Sequence, residues 1–156
     1  VPLASSILRQ AADLGVEIPL PTDVRVATVF SSDAQACERR IDEIKPNEMI
    51  LDVGSQTWAS YNQIMQAAGT IIFNGPVGVF EFPQFALGTQ ALVEAIAASS
   101  GFSIAGGGDT LAALALFGIS DEISYVSTGG GAFLSYLQGE TLPAIAVIQE
   151  KSETLC

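Results

Sequence analysis

Three glycine-rich turns hold most of the residues in this chain that could do chemistry. They are Asn74-Gly75-Pro76-Val77-Gly78-Val79-Phe80-Glu81, Gly106-Gly107-Gly108-Asp109-Thr110 and Ser127-Thr128-Gly129-Gly130-Gly131. Without Cβ atoms, a backbone can take positive φ and lie close against a phosphate. Where a helix follows, the free N–H groups of its first turn and its dipole form an anion site that needs no cation. Asp109 at such a start is a helix cap, or a ligand for a divalent cation that bridges phosphate oxygens. Thr110 adds a hydroxyl donor at the same point. One strand-Gly-Gly-helix corner is as readily a packing device as a binding one. Two triple-glycine corners at successive strand ends favour phosphate binding.

The first turn is less decisive. Asn74-Gly75-Pro76 is in itself a turn signal. Its functional form is a floor for a nucleoside, with Glu81 accepting ribose hydroxyls, although spacing alone favours a solvated surface acid at Glu81. Gly54 ends a strand, either as a terminator or for close backbone approach to a base. Asp52 is a satisfied buried acid or a site residue. Trp58, Tyr61, Phe80, Phe82 and Phe85 read as partial core.

These turns need strands and helices to hold them. Apolar and β-branched runs predict strands at residues 24–30, 49–53, 70–74, 102–105, 125–127 and, weakly, 144–148. Helical spacing predicts helices at 3–14, 55–67, 83–98, 110–117 and 132–137. In the third helix Phe85, Leu92, Val93 and Ile96 share a face. Residues 31–47 read as a surface loop with a short helix. The β-α-β-α order implies an α/β fold with a Rossmann-like, doubly wound parallel sheet and helices on both faces. Ligands then sit beyond the carboxyl ends of the strands.

Composition removes whole classes of function. The 156 residues carry 17 acids and 6 bases, a net charge of −11. Such a surface repels nucleic acid and anionic membrane. With no histidine, a Ser-His-Asp triad or a His-liganded zinc is excluded from the chain. Cys37 and Cys156 are unpatterned, which fits a reduced cytoplasmic setting. The P-loop pattern is absent, as is Gly-x-Gly-x-x-Gly after a strand. No Lys or Arg lies near either triple-glycine turn, so the cations that phosphoryl transfer commonly uses must come from elsewhere. A nucleotide-sensing module and a purely structural domain stand as the alternative classes.

Taken jointly, residues 70–81 (TIIFNGPVGVFE), 105–110 (AGGGDT) and 125–132 (YVSTGGGA) resemble phosphoglycerate kinase in its bacterial form. Residues 19–28 (PLPTDVRVAT) and 49–54 (MILDVG) are similar to the same family. The resemblance implies the C-terminal, nucleotide-binding domain, incomplete at its N-terminal side and without the N-terminal domain that binds phosphoglycerate. It implies a cytoplasmic, monomeric glycolytic enzyme that moves a phosphoryl group from 1,3-bisphosphoglycerate to Mg-ADP, with this fragment inactive alone. It places Gly54, Gly75 and Val79 at the adenosine, Asn74 near the phosphates and Glu81 at the ribose. Gly107, Gly108, Asp109 and Thr110 would bind the ADP or ATP phosphates, and Asp109 would reach Mg²⁺. Gly129, Gly130 and Gly131 would offer amides to the migrating phosphoryl group. Phe73 stands where the family commonly has Trp, a change of packing rather than of chemistry.

Overall fold

The computed structural model describes residues 2–154, with side chains through residue 151. The elements run α1 (Pro2–Asp13), β1 (Asp23–Ala27), β2 (Cys37–Arg40), β3 (Met49–Val53), α2 (Ser55–Ala67), β4 (Thr70–Phe73) and α3 (Leu87–Ala98). They continue with β5 (Phe102–Gly106), α4 (Gly108–Leu116), β6 (Tyr125–Ser127), α5 (Gly131–Leu137) and α6 (Pro143–Thr154). Short 3₁₀ turns occupy Ile41–Glu43, Pro83–Phe85 and Ser120–Glu122.

The α/β reading holds in the second half. Strands β4, β5 and β6 are parallel and in that order, joined by α3 and α4 as crossovers. Ile71, Phe73 and Ala105 meet Val93 and Ile96 of α3 and Leu114 of α4 in the main core. Phe73 is buried within it. The opposite face of this sheet is largely open, with Ile72 46%, Phe102 52% and Tyr125 57% exposed. At one end of that face Phe133 of α5 lies over Gly106, where a Cβ would stand 2.8 Å from its ring.

The first half departs from a single parallel sheet. Strand β1 pairs antiparallel with both β2 and β3, forming a separate ribbon ordered β2-β1-β3. Strand β2 lies in the stretch expected to be loop and helix. Its residues are Cys37, Glu38, Arg39 and Arg40, so polarity hides its alternation. Instead of apolar contacts, Arg25 of β1 faces Glu38 across the ladder, 3.6 Å away as an ion pair.

The strand expected at residues 144–148 is helix α6. Its five apolar residues suit either period, and Pro143 in the first helical position sets the helical φ. The helix expected at 83–98 is divided into a 3₁₀ turn and α3. Phe85, Leu92, Val93 and Ile96 are all buried, but Phe85, on the 3₁₀ turn, packs with Ala27, Ala34 and Leu51, apart from the cluster that holds Val93 and Ile96. No helix among the described residues is long and apolar enough to cross a membrane.

Two buried aspartates join strands to helices far along the chain. Asp23 on β1 accepts hydrogen bonds from the amides of Gln56 (3.0 Å) and Thr57 (2.7 Å), and from the Thr57 hydroxyl (2.6 Å). It therefore caps α2, whose own flanking residue Gly54 offers no side chain. Asp52 on β3 does the same for α3, accepting from the Gly88 amide at 2.8 Å.

Candidate functional site

The carboxyl ends of β4, β5 and β6 meet two adjoining hollows. The first is a cavity of about 490 Å³ lined by Phe30, Pro76, Gly78, Val79, Phe80, Glu81, Phe82 and Asp109. The second, of about 300 Å³, is lined by Asn74, Gly75, Gly107, Gly108, Asp109, Thr110, Gly130, Gly131 and Leu134. Asp109 borders both.

Local chemistry explains the second hollow. Gly107 precedes α4 with φ 102°, Gly130 precedes α5 with φ 46° and Gly75 has φ 114°, all left-handed conformations that favour glycine. At Gly107 a Cβ would also stand 3.0 Å from the Asn74 side-chain oxygen. The amides of Gly108, Asp109 and Thr110 head α4, where no intrahelical acceptor exists, and no side chain caps them. Gly108, Asp109, Gly129, Gly131 and Asn74 are exposed. The corners are open, and the α4 amides point where an anion would lie.

The walls of the first cavity come from segments distant in sequence. Phe30, after β1, pairs with Phe82 at 5.0 Å between ring centroids and 54° between planes. The Gln84 side-chain amide holds the Phe30 side in place by donating to the carbonyl of Ala34 at 3.0 Å. Val79, at the base, donates its amide to the Leu51 carbonyl at 2.8 Å. Phe80 is buried and Phe82 half-buried, as partial core residues.

Most of the expected site residues are therefore brought together. Thr110 has a further task, since its buried hydroxyl oxygen accepts the Gly75 amide at 2.7 Å and ties the first glycine turn to the second. Gly129 lines neither hollow, and its amide donates to the Ser127 hydroxyl at 3.2 Å. Gly54 also lines neither. A Cβ there would collide with the Asp23 carboxyl group, so its lack of a side chain has a local cause. Pro76 and Gly78 arrive with the Asn-Gly-Pro turn, while Phe80, Phe82 and Leu134 line the hollows although they read as core. No local pattern links Phe30 to residues 76–82.

No lining residue of either hollow is cationic, and the site's side-chain charges are those of Asp109 and Glu81. Among the described residues, no group of three or more His, Cys, Asp or Glu is placed to hold a metal. One carboxylate beside open helix amides nonetheless suits Mg²⁺, which takes one or two carboxylates and fills its shell with phosphate and water oxygens.

The family model for phosphoglycerate kinase matches residues 1–140. The chain belongs to the phosphoglycerate kinase family. Its fold superposes on phosphoglycerate kinase from Coxiella burnetii with a TM-score of 0.92 and 49% identity, covering 98% of this chain and 39% of that one. On phosphoglycerate kinase from Pyrococcus horikoshii OT3 the values are 0.82 and 35%, covering 97% and 36%. The chain thus spans under two-fifths of the length of these phosphoglycerate kinases, and all the site residues above except Gly54 and Phe30 lie on its β4–α5 half.

Proposed function

We propose that this chain is the C-terminal, nucleotide-binding part of a cytoplasmic phosphoglycerate kinase. The whole enzyme moves a phosphoryl group reversibly from 1,3-bisphosphoglycerate to Mg-ADP, giving 3-phosphoglycerate and ATP. The observation that carries this is the shared position of Asp109, at the head of an uncapped helix and on the border of both hollows. An aspartate there addresses a ligand with an apolar end and an anionic end.

In this reading Val79, Pro76 and the Phe30–Phe82 pair enclose the nucleoside, and Glu81 accepts the ribose hydroxyls. Asn74, Gly107, Gly108 and Thr110 hold the phosphates with amides and side chains, while Gly75, its amide given to the Thr110 hydroxyl, shapes the turn beside them. Asp109 holds Mg²⁺, which when bound neutralises phosphate charge. Gly130 and Gly131, with Gly129 behind them, offer backbone amides to the migrating group. Attack is by the nucleotide's terminal oxygen without a covalent enzyme intermediate, so these residues act by positioning and by excluding water. The phosphoglycerate-binding domain and the cations for transfer belong to parts of the enzyme outside this chain, and the chain alone is inactive.

Thermal melting with Mg-ADP tests the reading. Ligand at about 100 times Kd should add roughly 2.7 kcal/mol to stability, and EDTA should reduce the shift. Asp109→Ala should weaken Mg-ADP at least about tenfold, in keeping with loss of a charge-assisted contact. A Mg-ADP shift that survives unchanged in Asp109→Ala would overturn the assignment. A coupled assay of the chain alone should show no turnover above background.

A further inference from the structure

We infer that Asp52 and Thr89 are positioning residues for the cavity floor, acting through the first turn of α3. The inference rests on the reading of that cavity as the nucleoside site. Asp52 is 1% exposed. One carboxylate oxygen accepts the Gly88 amide at 2.8 Å and the other the Val53 amide at 2.8 Å. Gly78 lies so close that a Cβ there would stand 2.5 Å from the Asp52 carboxyl carbon. One residue beyond Gly88, buried Thr89 accepts the amides of Val77 and Gly78 on its hydroxyl, each at 3.3 Å. The chain of contacts runs from β3 to the helix start and from there to the floor beneath Val79.

A buried carboxylate is a costly way to cap a helix, which points to a task beyond stability. Burial pushes the Asp52 carboxyl up to about 6, against the opposing pull of the Gly88 and Val53 amides and of Arg25. Arg25 is the charged group facing it from β1, while α3 and the floor meet it with the backbone of Gly88 and Gly78. Because the folded value is raised, the group's contribution to stability is fully present below its ordinary value of 3.8 and is lost as pH rises through about 6. Acidification from pH 7.5 to 5.0 therefore adds the share of Asp52 to global stability. The added proton nevertheless occupies an oxygen that accepts an amide, and so loosens the α3 start and the floor. Local order and global stability are set in opposition.

Amide hydrogen exchange of the chain at pH 7.5 and 5.0, corrected for intrinsic rates, reads the first; urea unfolding at the same pH values reads the second. Protection at residues 77–82 should fall about tenfold at pH 5.0, the worth of one charge-assisted hydrogen bond, while global stability rises. Asp52→Asn should flatten the pH profile of the floor. Thr89→Val, which keeps every charge, should lower protection equally at both pH values. A wild-type floor equally protected at both, or one that loosens only in step with global unfolding, overturns the inference even if Asp52→Asn fails to fold. The experiment uses no nucleotide. A missing Mg-ADP shift therefore defeats the functional reading alone, and an unchanging floor defeats this one alone.

Discussion

Replacing Gly78 with alanine is expected to cost about 2–6 kcal/mol and to distort the first cavity. Overpacking a tight site costs about 1–3 kcal/mol, and a displaced buried acceptor adds about 1–3 kcal/mol more. The new Cβ would lie 2.5 Å from both the Asp52 carboxyl carbon and the Phe85 carbonyl oxygen. The first belongs to a buried side chain already committed to two amides, and the second to backbone. Neither can swing aside. Gly108→Ala is the contrast, since a Cβ there meets nothing within 4 Å. At the start of α4 it should leave stability unchanged or raise it by about 0.4–1 kcal/mol, through the unfolded state. In urea, Gly78→Ala should lower the midpoint with the slope retained. Equal midpoints for Gly78→Ala and Gly108→Ala would show that the floor is not packed against Asp52.

Asp23→Ala is the second large effect, expected to cost about 3–4 kcal/mol. It removes the acceptor for the amides of Gln56 and buried Thr57 at the start of α2, and leaves the Thr57 hydroxyl only the Asp23 backbone carbonyl as its acceptor. Burial pushes the Asp23 carboxyl up, but hydrogen bonds from the Thr57 side chain and the Gln56 and Thr57 amides outweigh it, so the group lies below its ordinary value of 3.8. For a depressed acid the sign is opposite to that of Asp52. Its stabilisation is present above 3.8 and is lost as pH falls through the lower, folded value. Asp23→Ala should therefore flatten the acid limb of the stability curve below about pH 4. The same carboxylate excludes a side chain at Gly54, where a Cβ would also stand 2.7 Å from its Oδ1. Gly54→Ala should consequently be costly in the wild type and mild on the Asp23→Ala background. A coupling of at least about 1 kcal/mol in that double-mutant cycle is the measurement that decides. Additive effects would mean that Gly54 is glycine for another reason.

Much of the nucleotide half was legible because its signals are local. A triple glycine followed by Asp109 and Thr110 encodes, within five residues, a strand end, a left-handed turn and a helix start. Leu92, Val93 and Ile96 announced the buried face of α3 by spacing alone, whereas Phe85 fell on a separate turn and in a separate cluster. The joint order of the three turns was enough to point to the family. The apolar run at residues 144–148 failed as a strand because five residues fit both periods, and Pro143 settled the matter in favour of helix.

What the chain's local grammar could not express are contacts between segments remote from one another. Asp23 reaches Gln56 and Thr57 across 33 and 34 residues, Asp52 reaches Gly88 across 36 and Arg25 reaches the Gln84 carbonyl across 59. An aspartate in a strand carries no mark of the helix that it will cap. Strand β2 carries charges that become a ladder only once Arg25 faces Glu38. Sequence alone determined the glycine corners, the βα order and the family, since turn and helix-start chemistry lie within a few adjacent residues. Tertiary structure decided the antiparallel ribbon, the role of Gly54, the arrival of Phe30 at the cavity and the place of Asp109 between two hollows. Those depend on which surfaces meet, and that choice is made by packing the whole chain at once.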